Sequence, residues 1–229
     1  MLGIIILGII QGIAEFLPIS SSEHLIIFRN LFGIGSSITP DLELSFDIAL
    51  HFGTLLAICI YFFKDFIKII SSGLTKGVKD SNGRVFWYIV VATIPAAIAG
   101  VLFEDVIENL IRNNYIIIAL ALIVMGIIIY VVDKKCKEEK EISQMSLKDA
   151  FLIGCSQVFA LIPGFSRSGT TIAAGRAMKL KREDSAKFSF YLSAPVVLGA
   201  VILSLSTRRS VLALASLPSP STRTTAIAP

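Results

Sequence analysis

Gln11 and Glu15 stand four residues apart in an otherwise apolar segment, so a helix would place them on one face. A carboxylate at membrane depth is costly unless paired or hydrated, and by default it marks a functional site. The plainer alternative is a Glu15 solvated at headgroup level. Next comes Ser20-Ser21-Ser22-Glu23-His24. Ser20 and Glu23 fit the S-x-x-E capping box of a helix running to about Phe32, which explains Ser20 but not three consecutive hydroxyls followed by a histidine. His24 is either a proton carrier or a ring hydrogen-bonded at the interface. Asp47 and His51 form another i, i+4 pair, expected to be buried and structural.

The most informative stretch is Pro163-Gly164-Phe165-Ser166-Arg167-Ser168-Gly169-Thr170-Thr171. Gly164 lets backbone approach a ligand closely, hydroxyls and helix N-terminal amides donate to anionic oxygens, and the planar guanidinium of Arg167 suits phosphate. An arginine between apolar runs is expensive without an anionic partner; the alternative is Arg167 snorkelling to headgroups. An acid, a candidate base, several hydroxyls and an anion cradle together point to phosphate chemistry on a lipid.

The elements that must position these groups belong to a membrane. Of 229 residues 54% are hydrophobic and only 17% charged, with mean hydropathy +0.77, against roughly a quarter charged in soluble domains. A water-soluble globule is excluded. The 21 Lys and Arg against 17 Asp and Glu leave +4, with no basic patch interleaved with aromatics, so no nucleic-acid partner is expected. Cys59, Cys136 and Cys155 have neither CxxC spacing nor even parity and read as apolar fillers. The run from Leu2 lacks a basic start and carries Gln11 and Glu15, so it belongs to the mature fold rather than to a signal peptide.

Four stretches, 44–63, 85–103, 115–132 and 188–206, are long enough to cross the bilayer as helices. Two others, Leu2–Ile19 and Asp149–Thr171, are broken by polar residues and by Pro18 or Pro163-Gly164. Loop charge orients the spans. Lys64–Arg84, Asp133–Lys148 and Arg176–Lys187 are lysine- and arginine-rich and read as inside, whereas Ser20–Glu43 and Glu104–Asn114 read as outside. Because both flanks of Asp149–Gly175 are basic, that segment dips in and returns; the first does the same from outside. Gly8 and Gln11 with Ala14 and Pro18 recur as Gly154 and Gln157 with Ala160 and Pro163. The expected fold is therefore an all-α integral membrane bundle of several spans. Two re-entrant broken-helix segments, 2–32 and 149–179, form an inverted repeat and meet near the midplane.

At this level of detail the two motifs resemble a known family. Gln11-Gly12-Ile13-Ala14-Glu15-Phe16-Leu17-Pro18-Ile19-Ser20-Ser21-Ser22-Glu23-His24 follows the (E/Q)-x-x-x-E signature of the undecaprenyl pyrophosphate phosphatases, also called bacitracin-resistance proteins. Pro163 to Thr171 follows their P-G-x-S-R-S-x-x-T signature, and Phe46-Asp47 with His51 and Gly53-Thr54 resembles their second-span text. The resemblance runs from about Leu2 to Ser204. It implies hydrolysis of undecaprenyl pyrophosphate to the monophosphate carrier lipid at the outer face of the cytoplasmic membrane, in support of cell-envelope glycan synthesis and bacitracin resistance. By the same resemblance Glu15 with Gln11 holds a divalent cation, Mg²⁺ or Ca²⁺, or orients water. Arg167 clamps the pyrophosphate, assisted by Ser166, Ser168 and Thr171. Ser21 is the candidate nucleophile and His24 the candidate base or proton donor. Direct attack by serine and attack by an oriented water both stay open, as does a homodimer.

The chain departs from the family in two places. Glu23 stands where the family usually has glycine, adding a negative charge and a candidate metal ligand. After about Ser206 the composition shifts to Ser, Thr, Arg, Ala and Pro without Lys, Asp or Glu, and 207–229 reads as a disordered tail of a truncated or frame-shifted product. The rival functions are a transporter or flippase for a lipid phosphate or small anion, and an inactive fragment.

Overall fold

Nine α-helices joined by short 3-10 turns make up the computed structural model, which describes residues 2–35, 38–106 and 115–215; no β-strand occurs among the described residues. The helices are α1 (Leu2–Ala14), α2 (Ser21–Asn30), α3 (Pro40–Tyr61), α4 (Phe63–Thr75), α5 (Ser81–Val106), α6 (Tyr115–Lys135), α7 (Leu147–Ser156), α8 (Arg167–Ala177) and α9 (Arg182–Ala215). α5, α6 and α9 are each long and apolar enough to cross a membrane, and α3 with α4 forms a bent pair that meets the same test. The chain is thus a multi-span helical membrane protein.

Both broken segments are helix–turn–helix units. α1 packs on α2 across residues 15–20, and α7 packs on α8 across a 3-10 turn at Gln157–Leu161 and the Pro163-Gly164 turn. Their tips touch, because the Ser168 hydroxyl donates to the Leu17 carbonyl at 2.9 Å. The close packing of α7 on α5 depends on Gly154, where a Cβ would lie 2.5 Å from the Ala92 carbonyl oxygen. Around that crossing lies the largest buried apolar cluster, including Tyr88, Ile89, Ile153, Leu180, Phe188 and Leu192.

The observed helices outrun the predicted spans wherever polar residues continue the helix beyond the hydrocarbon width. α5 begins at Ser81 rather than Val85, and α9 begins at Arg182 rather than Phe188. α9 also extends through 207–215, the first part of the stretch expected to be disordered. Thr207-Arg208-Arg209-Ser210-Val211-Leu212-Ala213-Leu214-Ala215 contains no glycine or proline, so nothing in it stops the helix. Residues 216–229 lie outside the described residues, as does most of the predicted outside loop at 107–114.

The basic stretch 64–84, expected as a loop, is largely helix. The backbone leaves the helical region at Phe62 (φ −96°, ψ 19°), and α4 departs from α3 at 77°. The elbow is held by aromatic packing: the Phe62 ring lies 5.2 Å from that of Tyr191, whose hydroxyl donates to Asp65 at 2.6 Å. α4 has three faces. Phe66 and Ile69 pack into the core, Phe63, Ile67, Ile70 and Leu74 form an exposed apolar stripe, and Lys64 and Lys68 are exposed on a third face. Such a division into packed, apolar and charged faces is the pattern of a helix lying in the plane of a membrane interface. On the same basic side Arg176, buried on α8, donates to the carbonyls of Cys136 and Leu180 at 2.8 and 2.6 Å, and so ties the end of α6 to the α8–α9 turn.

In vesicles, with Trp87→Phe as background, a tryptophan replacing Ile70 should be quenched by bromine on the lipid acyl chains and spared by aqueous iodide. A tryptophan replacing Lys68 should show the reverse. Strong iodide quenching at position 70 would place the stripe in water and remove the in-plane assignment.

Candidate active site

Glu15 follows the last residue of α1, and its amide still bonds the Gln11 carbonyl at 2.9 Å. The helical spacing therefore persists, and the Gln11 side-chain amide donates to Glu15 Oε2 at 3.0 Å. The chain then turns through Leu17–Ser20, and Ser20 adopts a left-handed φ of 66°, a region that non-glycine residues rarely occupy. That turn delivers Ser21 at the start of α2, where its hydroxyl donates to Glu15 Oε2 at 2.6 Å.

The second segment brings the opposite charge. Ser166 caps α8, its Oγ accepting from the Gly169 amide at 3.2 Å, so α8 starts at Arg167 with its amide ends at the site. Arg167 Nη2 donates to Glu15 Oε1 at 2.7 Å. This ion pair joins residues 152 positions apart and resolves the cost of burying each charge alone. Around it Ser166 and Ser168 Oγ lie 3.1 Å apart. Glu15, Ser21, Glu23, Gly164, Ser166, Arg167 and Ser168 line one cavity of about 890 Å³. Beyond this polar end the cavity is walled by apolar side chains of α3, α5 and α9, among them Ile48, Ala96, Val101, Val197 and Val201.

Not every residue singled out in the sequence reaches this cavity. His24 is not among its lining residues; its Nδ1 lies 2.8 Å from the Ser20 carbonyl. Thr171 is buried behind the cavity wall, where its hydroxyl pairs with Ser189 Oγ at 2.7 Å. The histidine that does line the cavity is His51, with Nε2 3.6 Å from Glu15 Oε2 and Nδ1 2.8 Å from the Asp47 carbonyl. The expected side-chain pair of Asp47 and His51 is not formed, because both Asp47 oxygens accept from Arg29 at 2.8 Å. The signal for His51 was present in the sequence, since an ionisable residue inside a span is a site candidate by default.

The capping box at Ser20 is also replaced. Ser20 makes no side-chain cap bond to the helix; with φ at 66° it lacks the extended backbone that capping requires. Its hydroxyl donates instead to the Glu23 carboxylate, whose other oxygen accepts from the Gly164 amide at 2.8 Å. Both Glu23 oxygens are therefore engaged by protein donors. Gln11 differs: it is buried, and its Oε1 has no partner beside the Glu15 carboxylate.

Chemically, the cluster joins a hydroxyl to a carboxylate able to take its proton, and sets both against a guanidinium and a helix N-terminus. Gly164 has φ +99°, and a Cβ there would lie 2.6 Å from the Ile118 carbonyl oxygen. Gly164→Ala should therefore destabilise the protein by about 1–3 kcal/mol, read as a lowered melting temperature in detergent; an unchanged melting temperature would show that the turn relaxes freely.

Comparison with known proteins matches the sequence to a lineage. The chain is 52% identical over 201 residues to the undecaprenyl-diphosphatase of Caldicellulosiruptor bescii, covering 88% of this chain and 74% of that one. Over the same shares it is 47% identical to the undecaprenyl-diphosphatase of Pelotomaculum thermopropionicum and 44% identical to that of Moorella thermoacetica. The profile of one family matches residues 4–228. With two re-entrant motifs converging on one buried cluster, the chain belongs to the bacitracin resistance protein BacA family.

Proposed function

We propose that this multi-pass cell-membrane protein is a hydrolase that removes the terminal phosphate of undecaprenyl pyrophosphate, or a related polyprenyl pyrophosphate, leaving the monophosphate carrier lipid. The observation that carries this reading is the contact of Glu15 with both Ser21 and Arg167 in one cavity whose remaining walls are apolar. Transport of an anion needs a guanidinium but no hydroxyl held against a carboxylate. The relatives' printed name agrees with hydrolysis.

In this reading the pyrophosphate enters the polar end of the cavity while the polyprenyl chain lies along its apolar walls. Arg167 and the first amides of α8 neutralise the phosphoryl oxygens, with Ser166 and Ser168 completing the cradle. Phosphoryl transfer asks mainly for positioning and charge neutralisation. Ser21 Oγ attacks the terminal phosphorus, and Glu15 takes the hydroxyl proton. The bond to the bridging oxygen breaks, its electron pair leaving with the polyprenyl monophosphate; water then hydrolyses the phosphoserine and releases inorganic phosphate. His51, within reach of the same Glu15 oxygen, supports the charge changes there.

A divalent cation belongs to the proposal. Among the described residues no three His, Cys, Asp or Glu side chains cluster as a metal site, so the donors present are hard oxygens: Glu15 and the unpartnered Gln11 Oε1. They suit Mg²⁺ or Ca²⁺ sharing its remaining positions with substrate oxygens and water. Such an ion supplies neutralisation of pyrophosphate charge. The site is read as opening to the outer side, opposite the lysine-rich segments. A homodimer is kept in the reading because α6 exposes the apolar stripe Ile116, Leu120, Ile123 and Ile127.

Purified in detergent, where transport has no meaning, the chain should release inorganic phosphate from a polyprenyl pyrophosphate. Arg167→Ala should lower that rate about 100-fold or more with the protein still folded. An active Arg167→Ala variant would remove the cradle, and an inactive parent would leave transport or an inactive fragment standing. Chelation should abolish release and Mg²⁺ or Ca²⁺ restore it, with Gln11→Leu raising the cation concentration needed for half-maximal rate.

A further inference from the structure

Glu23 is a buried carboxylate lining the polar end of the cavity that the proposed chemistry leaves without a task. It is only 3% exposed, and a negative charge beside an anionic substrate is a liability unless its field is spent elsewhere. Its two oxygens are spent on two particular donors. One accepts from the Gly164 amide at 2.8 Å, 141 positions along the chain, and the other accepts from the Ser20 hydroxyl.

Those donors sit at the two left-handed backbone positions of the site, Ser20 at φ 66° and Gly164 at φ 99°. Each is the residue on which its re-entrant segment turns. Ser20 immediately precedes Ser21, whose hydroxyl bonds Glu15, and Gly164 lies three residues before Arg167. A non-glycine residue such as Ser20 is held at positive φ by its surroundings rather than by its own preference, whereas Gly164 adopts it freely; the same carboxylate bonds both turns.

We infer that Glu23 is a positioning residue: by accepting hydrogen bonds from both re-entrant turns it fixes the distance between the Ser21–Glu15 pair and Arg167. The inference rests on the phosphatase reading above. It predicts a chemical and not an affinity defect on removal, because the pyrophosphate still meets Arg167 and the lipid chain still meets the cavity walls.

The test uses the full chain in detergent and three variants. Glu23→Gln keeps one acceptor oxygen for the Gly164 amide and offers an amide donor to the Ser20 oxygen, so it should stay within about threefold of the parent in kcat. Glu23→Ala should lower kcat about 100-fold, the scale expected when reacting groups shift by about 1 Å, with KM within about threefold. Glu23→Asp, too short to reach both donors yet little disturbed in folding, should fall between them. Hydrogen–deuterium exchange supplies a reading independent of turnover: amides of 162–168 should exchange faster in the Ala and Asp variants and as in the parent in the Gln variant. Parent-like kcat in the Ala and Asp variants overturns the inference, as does a rise in KM alone. Loss of activity in the Gln variant equal to that in Ala would mean that the charge itself acts on substrate or cation, which also overturns it. If the parent releases no phosphate, the phosphatase reading fails, and the exchange pattern still decides whether Glu23 ties the two turns.

Discussion

The contact between Glu15 and Arg167, at 2.7 Å, is the interaction around which the rest of this structure is arranged. Neither charge is tolerable alone inside a membrane protein, and each stands where a helix has been broken. The broken helices bring unpaired backbone donors and hydroxyls to the bilayer interior, where such groups survive only if they are satisfied internally or face a wet cavity. The two tips satisfy one another, Ser168 to Leu17 and Gly164 to Glu23. The contacts that make the two interruptions tolerable are therefore the same ones that assemble the proposed diphosphate site.

The long helices serve this arrangement as a frame. α5 and α9 each carry an internal proline, Pro95 and Pro195, and both contribute walls to the cavity. Pro195 itself lines it. The tight crossing at Gly154 and Ala92 seats α7 against α5, which fixes where the second segment turns back. On the basic side, Arg176 ties α6 to the α8–α9 turn, and aromatic packing with Asp65 holds the elbow between α3 and α4. A cavity with a polar end and apolar walls suits an enzyme whose substrate is itself part of the bilayer.

Much of this was legible in the residues. Hydropathy gave the spans, because about 20 apolar residues are what a bilayer demands. The basic flanks of 149–175 identified a segment that returns, because lysine and arginine stay on one side. The i, i+4 spacing of Gln11 and Glu15 placed them together, as observed at 3.0 Å. The motif text pointed to the family that comparison bears out.

What the residues could not decide was which side chain meets which across the chain. Asp47 and His51 are neighbours on one helix turn, yet Arg29 takes the aspartate and Glu15 draws the histidine, since both partners arrive from α1–α2 by packing rather than by local spacing. Glu23 sits at capping-box distance from Ser20, yet the left-handed backbone at Ser20 sends its carboxylate to Gly164 instead. α4 reads as a charged loop until the bend at Phe62 gives it three different surroundings. Local sequence fixes periodicity, charge side and chemical type because each depends on neighbours within a turn of helix. Pairing between distant segments depends on a backbone path that only the assembled bundle defines.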